Sequence, residues 1–323
     1  MRAPYAAAPY NHASLRGTRK LPGMSWRVGA TFAALCVIWG LPYFFIKLAV
    51  AEMPPVMVAW GRIALGAAFL LPIAWRRGSL RGLGAHRGAV CAFALIELAF
   101  PFVLLSLGEQ WVSSSLTGIL IAIVPLLVLI LSPLFGIRES LSARRLVGLA
   151  IGLAGVVVLL GLDAVTGTSG WIGVACIIGA TLCYACGALV IQRYFSGVDV
   201  MGAVAASLGV ATVVLLPAAL YWAPPHLPSI KALSYIAILG VVCSALALSL
   251  FSYLISHLGA ARTAVVTYIN PAVAALLGVV VLHEPFGKGA VLGLALILLG
   301  SWLGTHSSKP KEFSLKETVS AAP

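Results

Sequence analysis

Ten stretches of about 20 mostly apolar residues, separated by short polar gaps, leave this chain few ways to fold. They run approximately over 27–49, 56–75, 88–107, 113–135, 146–162, 171–191, 200–221, 232–256, 263–282 and 289–305. In hydrocarbon every backbone N–H and C=O must find its partner within the spanning segment, which leaves the α-helix as the form for such a run. At 1.5 Å per residue, about 20 residues cross the roughly 30 Å apolar core of a bilayer. The expected fold class is an all-α integral membrane protein with ten transmembrane helices, neighbours being antiparallel because the gaps are short.

Composition agrees with that reading. Of 323 residues, 61% are hydrophobic and 9% charged, and the mean hydropathy is +1.05; an ordinary soluble domain carries roughly 25% charged residues. The net charge of +12 sits in the gaps rather than on one face or arm, so the expected partner is a lipid bilayer and not nucleic acid. All six cysteines fall inside apolar runs and behave as small hydrophobes, the Cys183/Cys186 pair included. The histidines show no ligand spacing, so neither a metal nor a cofactor is expected. Residues 1–26 and 306–323 are polar and basic and read as disordered cytoplasmic tails. The start of translation is open between Met1 and Met24.

Lys and Arg in the gaps set the orientation. With both termini placed inside, seventeen of them lie on the cytoplasmic side and three (Lys47, Lys231, Lys288) on the other, while Arg62 falls within a span. Miscounting one span would abolish this asymmetry.

The stretches FGIRESLSARRLVGLAIGLAG (135–155) and VLHEPFGKGAVLGLALILLG (281–300) match each other. Glu139 pairs with Glu284, Gly148 with Gly293 and Gly155 with Gly300, each at an offset of 145; Pro72 to Pro217 and Trp39 to Tyr184 share it. Two related halves of five spans, 27–162 and 171–305, are therefore expected. Five being odd, the second half enters the membrane from the opposite side, and the repeats are inverted about an axis in the membrane plane. Many secondary transporters use that architecture for alternating access, with the binding site near the midplane. Prolines within spans (Pro42, Pro101, Pro125, Pro271) are tolerated where protein or a cavity satisfies the carbonyls they free.

The segments WGLPYFFIKLAVAEMPP, AWGRIALGAAFLLPI, SSSLTGILIAIVPLLVLIL and HEPFGKGAVLGLALILLG resemble the EamA family of the drug/metabolite transporter superfamily over about residues 28–304. The resemblance implies a ten-helix carrier whose cavity is surrounded by the first four helices of each half, with helices five and ten peripheral. Family members move amino acids, other metabolites or drugs, often outward.

Glu97 is the one formally charged side chain between Gly88 and Leu107. It lies roughly 14 Å from either end of its span, where a charge costs on the order of 2.5 to 3.5 kcal/mol to insert and almost always faces a cavity or the bundle interior. It is the first candidate for binding a substrate's amino group or carrying a proton; the competing role is a static ion pair with Arg62. Its match in the second half is Val242, so the acid is not a requirement of both halves. Trp39 and Tyr43 share a helical stripe with Lys47, and Trp39 has its counterpart in Tyr184; they could stack on a substrate or belong to an interfacial belt. Ser114, Thr117 and Asn270 are candidate neutral donors for a carboxylate, though hydroxyls also bind helices together. Glu139 and Glu284 recur at helix starts, where a carboxylate caps.

No span contains an aspartate and none holds a Ser–His pair or HExxH, which argues against an enzyme. The reading is a secondary active transporter of small polar metabolites, amino acids or related compounds, exporting them across the bacterial inner membrane, with the proton as a candidate coupling ion. The alternatives are a drug or multidrug exporter and a passive channel or facilitator. Oligomeric state, a homodimer included, is open at this level.

Overall fold

A computed structural model of the chain describes residues 25–137, 142–162, 167–195, 197–258, 263 and 265–305. The tails expected at 1–26 and 306–323, apart from Ser25 and Trp26, lie outside the described residues, as does Glu139. Among the described residues every regular element is helical and no strand occurs. The rods are α1 (Trp26–Ala49), α2 (Pro55–Arg76), α3 (Leu83–Gly108), α4 (Ser114–Phe135), α5 (Ala143–Leu162), α6 (Gly167–Tyr194), α7 (Val200–Tyr221), α8 (Ile230–Leu254), α9 (Val266–Leu282) and α10 (Lys288–Gly304). The first eight are long and apolar enough to cross a membrane; the last two are apolar but shorter.

Local chemistry sets the ends of these rods. Ser113 caps α4 by accepting from Leu116 N at 3.1 Å, Asp199 caps α7 by accepting from Met201 N at 2.9 Å, and Ser229 caps α8 through Ala232 N at 3.1 Å. Pro55 occupies the first turn of α2, where its missing N–H leaves no bond unmade. Within α4 the helix breaks at Ala122–Ile123, just before Pro125. Leu126 N turns to Ile123 O, and the Ala122 carbonyl accepts from the Ser301 hydroxyl of α10 at 3.1 Å.

Two rods change pitch in mid-course. A π-helical segment spans Ala94–Ala99 of α3 and another spans Ile238–Leu246 of α8; the 145-residue offset carries the first inside the second. Such wide turns rotate the following side chains and recur at functional sites.

Several packing contacts recur under an exchange of the two halves, while α4 also packs on α10 and on α1. α1 meets α9 as α6 meets α4; α1 meets α8 as α6 meets α3; α2 meets α8 as α7 meets α3; and α2 with α7, α4 with α9 and α5 with α10 pair directly. The α5–α10 pair crosses on glycine. A Cβ at Gly148 would lie 2.6 Å from Gly304 N, and one at Gly155 would lie 2.9 Å from Gly293 O, so only glycine lets these backbones touch. Away from their partners the rods bare large apolar side chains, such as Val157 on α5, Val213 and Leu220 on α7 and Leu276 on α9. Lipid tails match that apolar girdle, whereas water would drive it to aggregate.

Candidate functional site

Where three buried apolar clusters meet, the bundle holds a cavity of about 390 Å³. Its walls come from α1 to α4 and α6 to α9, with no lining residue from α5 or α10 among the described residues. Toward the end carrying Lys47, Glu109 and Glu284, the fully buried Ile46, Leu105 and Ile119 belong to one packed cluster. In the other direction the lining continues to Ile191 on α6 and to Val200 and Met201 at the start of α7.

Glu97 lines this cavity from the π-helical turn of α3. It packs against α6 at Gly187, where a Cβ would stand 2.8 Å from the Glu97 Cδ, and the missing side chain makes room for the carboxylate. Its Oε2 is buried and has no hydrogen-bond partner. Arg62 lines the cavity from α2 and is 7% exposed. Its Nε donates to Ser244 Oγ at 3.2 Å and its Cζ stands 3.9 Å from the centre of the Phe102 ring, while Nη1 is buried with no acceptor. The Ser244 hydroxyl in turn donates to Leu239 O at 3.0 Å, five residues back, within the π-helical turn of α8. The two wide turns thus place Glu97 on one wall and the Arg62–Ser244 bond on another. The static ion pair between Arg62 and Glu97 is not formed; each is held by other neighbours.

Four further sequence candidates line the same cavity: Trp39, Tyr43, Tyr184 and Asn270. The Trp39 ring lies 4.8 Å from Phe251 of α8, tilted by 44°. Tyr43 is buried beside Gly118, where a Cβ would stand 3.5 Å from its ring carbon Cδ2. Asn270 directly precedes Pro271 on α9, and its Oδ1 is buried without a donor. Ser114 and Thr117 do not reach the cavity. The Ser114 amide and hydroxyl both donate to Glu284 Oε1, at 2.7 and 2.9 Å, and Thr117 Oγ1 donates to Ser113 O at 3.0 Å. Lys47 also turns elsewhere: its amine donates to the carbonyls of Glu109 (2.6 Å) and Val112 (2.8 Å), closing the C-terminal end of α3.

Sequence reasoning overlooked Ser244, Phe102 and Phe251. Ser244 lies two residues from Val242, the counterpart of Glu97, and is a lone hydroxyl among apolar neighbours, which is a legible signal. The two phenylalanines carry none, since apolar aromatics are ordinary in a span.

The comparisons agree with this architecture. The model of the EamA-like transporter family matches residues 27–161 and again 171–305. An Escherichia coli K12 protein described as an uncharacterized inner membrane transporter, YedA, is 32% identical over 285 residues, covering 86% of this chain and 90% of the relative. The Bacillus subtilis uncharacterized transporter YvbV is 26% identical over 297 residues, covering 88% and 94%. A solved crystal structure that is 20% identical superposes with a TM-score of 0.62 over 86% of this chain and 97% of its own, a likeness of fold. With its long apolar helices and these relatives, this is a multi-pass membrane protein, and the chain belongs to the EamA-like transporter family.

Proposed function

We propose that the chain is a secondary active transporter that exports small polar metabolites, amino acids or related compounds, by alternating access, with all ten helices spanning the cytoplasmic membrane and both termini inside. The observation that carries this reading is a cavity between the halves that presents a carboxylate with an unpartnered buried oxygen, Glu97. A buried ionisable group without a partner is expensive and is retained where a ligand or a proton satisfies it. Two further features support inverted repeats: the exchange symmetry of the helix contacts and the paired π-helical turns. On the Lys and Arg count, the packed end at Lys47 and Glu284 is the outer one, and the cavity extends toward the cytoplasm.

The test is transport into liposomes from a mixed metabolite extract, with and without a pH gradient, for the native chain and Glu97→Gln. Retention of amino-acid-like compounds that needs the gradient and falls at least tenfold in Glu97→Gln is expected. Retention unaffected by both would remove proton coupling through Glu97. Apolar dyes retained in place of metabolites would favour a drug exporter, a reading to which the aromatic walls at Trp39 and Phe251 lend weight.

A further inference from the structure

We infer that Glu109 is a proton-operated latch of the packed end: neutral while that end is shut, it gives its proton to entering water and is ionised when the end parts. The inference rests on the transport reading above for the opening of that end.

The latch stands where several parts of the bundle join. Glu109 follows α3 directly and is fully buried, and neither of its carboxylate oxygens has a hydrogen-bond partner. Behind it α6 seals the turn: a Cβ at Gly108 would stand 3.0 Å from Gly173 O, and one at Gly173 would stand 2.9 Å from Val112 Cγ1. From α1 the Lys47 ammonium ties the same turn down, donating to the carbonyls of Glu109 at 2.6 Å and Val112 at 2.8 Å. Ser114 and Ser115 come next, and Glu284 of the other half holds their hydroxyls. Residues 109–112 thus carry the base of the contact that joins the halves.

Among the described residues, the charged and titratable groups that act on Glu109 are Lys47 and Tyr43 from α1, Arg62 from α2 and Glu284 from the turn after α9. The α6 side meets this turn through Gly173 and Ile177, which carry no charge. Burial, the largest influence, favours the neutral acid; Lys47 and Arg62 oppose it and Glu284 adds to it. Arg62 is already held by Ser244 and Phe102, which leaves Lys47 as the cation that an ionised Glu109 would draw. Answering that charge takes the ammonium off its two carbonyls, and leaving it unanswered requires water. Either route undoes the closure of the turn, whereas the neutral acid leaves it intact.

The sign follows. The shut end holds the proton more tightly than the parted one, where water reaches the carboxylate and its proton affinity returns toward the ordinary value. Acid therefore favours closure. Raising pH above the ordinary carboxylate value of about 4.3 favours opening, by at most about tenfold per pH unit for one proton.

The experiment places spin labels at Gln110 and Lys288, exposed positions on the two sides of the contact, in the full chain with its six cysteines replaced by alanine and held in lipid nanodiscs. Pulsed EPR reads the distance between the labels from pH 5 to pH 9. One short distance is expected at pH 5, with a longer one growing as pH rises until the long-to-short ratio has climbed at least about tenfold. Glu109→Gln should keep the short distance alone at every pH. The native titration tests the inference even where the variant fails to fold. Distances that ignore pH in the native background would overturn it, as would a pH response that persists in Glu109→Gln. Gradient-driven transport in the liposome assay together with pH-independent distances would leave the transporter reading standing while the latch falls. A pH response that requires Glu109, in a protein that moves no solute, would keep the latch and sink the transporter reading.

Discussion

Glu97 and Glu109 belong to one rod and the turn that follows it, yet their surroundings differ. Glu97 faces a cavity, whereas Glu109 is fully buried beyond the end of α3 with neither carboxylate oxygen bonded. Lys47 stands beside Glu109 but gives its hydrogen bonds to backbone carbonyls. Burial pushes the Glu109 carboxyl well above the usual carboxylate range, with Lys47 pulling it down and Glu284 adding to the rise. The sign follows: folding favours the neutral acid, so its ionisation costs stability increasingly as pH climbs above the unfolded value of about 4.3. Glu109→Gln should therefore raise Tm in detergent, with a larger gain at pH 8 than at pH 5. Scanning fluorimetry at the two values checks this, and an equal gain at both would contradict it. Glu97 was legible in the sequence because it stands alone in an apolar run. Glu109 was not, because a gap residue reads as solvated. What buries it is tertiary: Gly108 and Gly173 let α6 come within 3.0 Å of where a Cβ would stand, covering the turn.

At the scale of elements, the turn after α9 ties the two halves together. Glu284 accepts from the amides and hydroxyls of Ser114 and Ser115, so a carboxylate from the second half caps a helix of the first. An anion at a helix N-terminus meets unpaired N–H groups and the positive end of the helix dipole. Gly278 lies against this clamp; a Cβ there would stand 3.0 Å from Ser114 Oγ. Glu284→Ala removes all four bonds and is expected to cost about 1 to 2 kcal/mol, seen as a fall of a few degrees in Tm. Glu284→Asp should not restore it, since the shorter side chain cannot reach both serines; a Tm for Glu284→Ala equal to the native one would show that the clamp contributes nothing. The recurrence of Glu284 at the 145-residue offset marked it as a capping group, but the helix it caps is not its own. Sequence cannot show that step, because the chain partner is set by how the rods assemble. The same limit hid the π-helical turns. One extra residue per turn leaves no trace in an apolar pattern, and only α3 follows its wide turn with a proline, Pro101.

For the whole molecule, apolar run length made the rods legible, while packing alone reveals which end of the bundle is closed. Alternating access by inverted repeats requires that this closure be temporary. Under an exchange of halves, a structure packed at the Glu284 end and hollow toward Met201 has a counterpart packed near Met201 and hollow toward Glu284. On the transport reading proposed above, passage depends on parting α4 from α9 at Ser115 and Gly278, one residue from each half, which touch in this structure. A Cβ at Gly278 would meet the Ser115 hydroxyl, so the pair Ser115→Cys with Gly278→Cys puts two thiols side by side across the α4–α9 contact, where oxidation can join them. Oxidation of the pair should stop transport by at least tenfold, and a reducing agent should restore it, while neither single variant responds to oxidant. Ligand binding from the hollow side should survive the lock, because the cavity walls at Glu97 and Arg62 are untouched. A crosslinked protein that carries substrate at the native rate would mean that the Glu284 end does not open, and the chain would then work as a facilitator by another path.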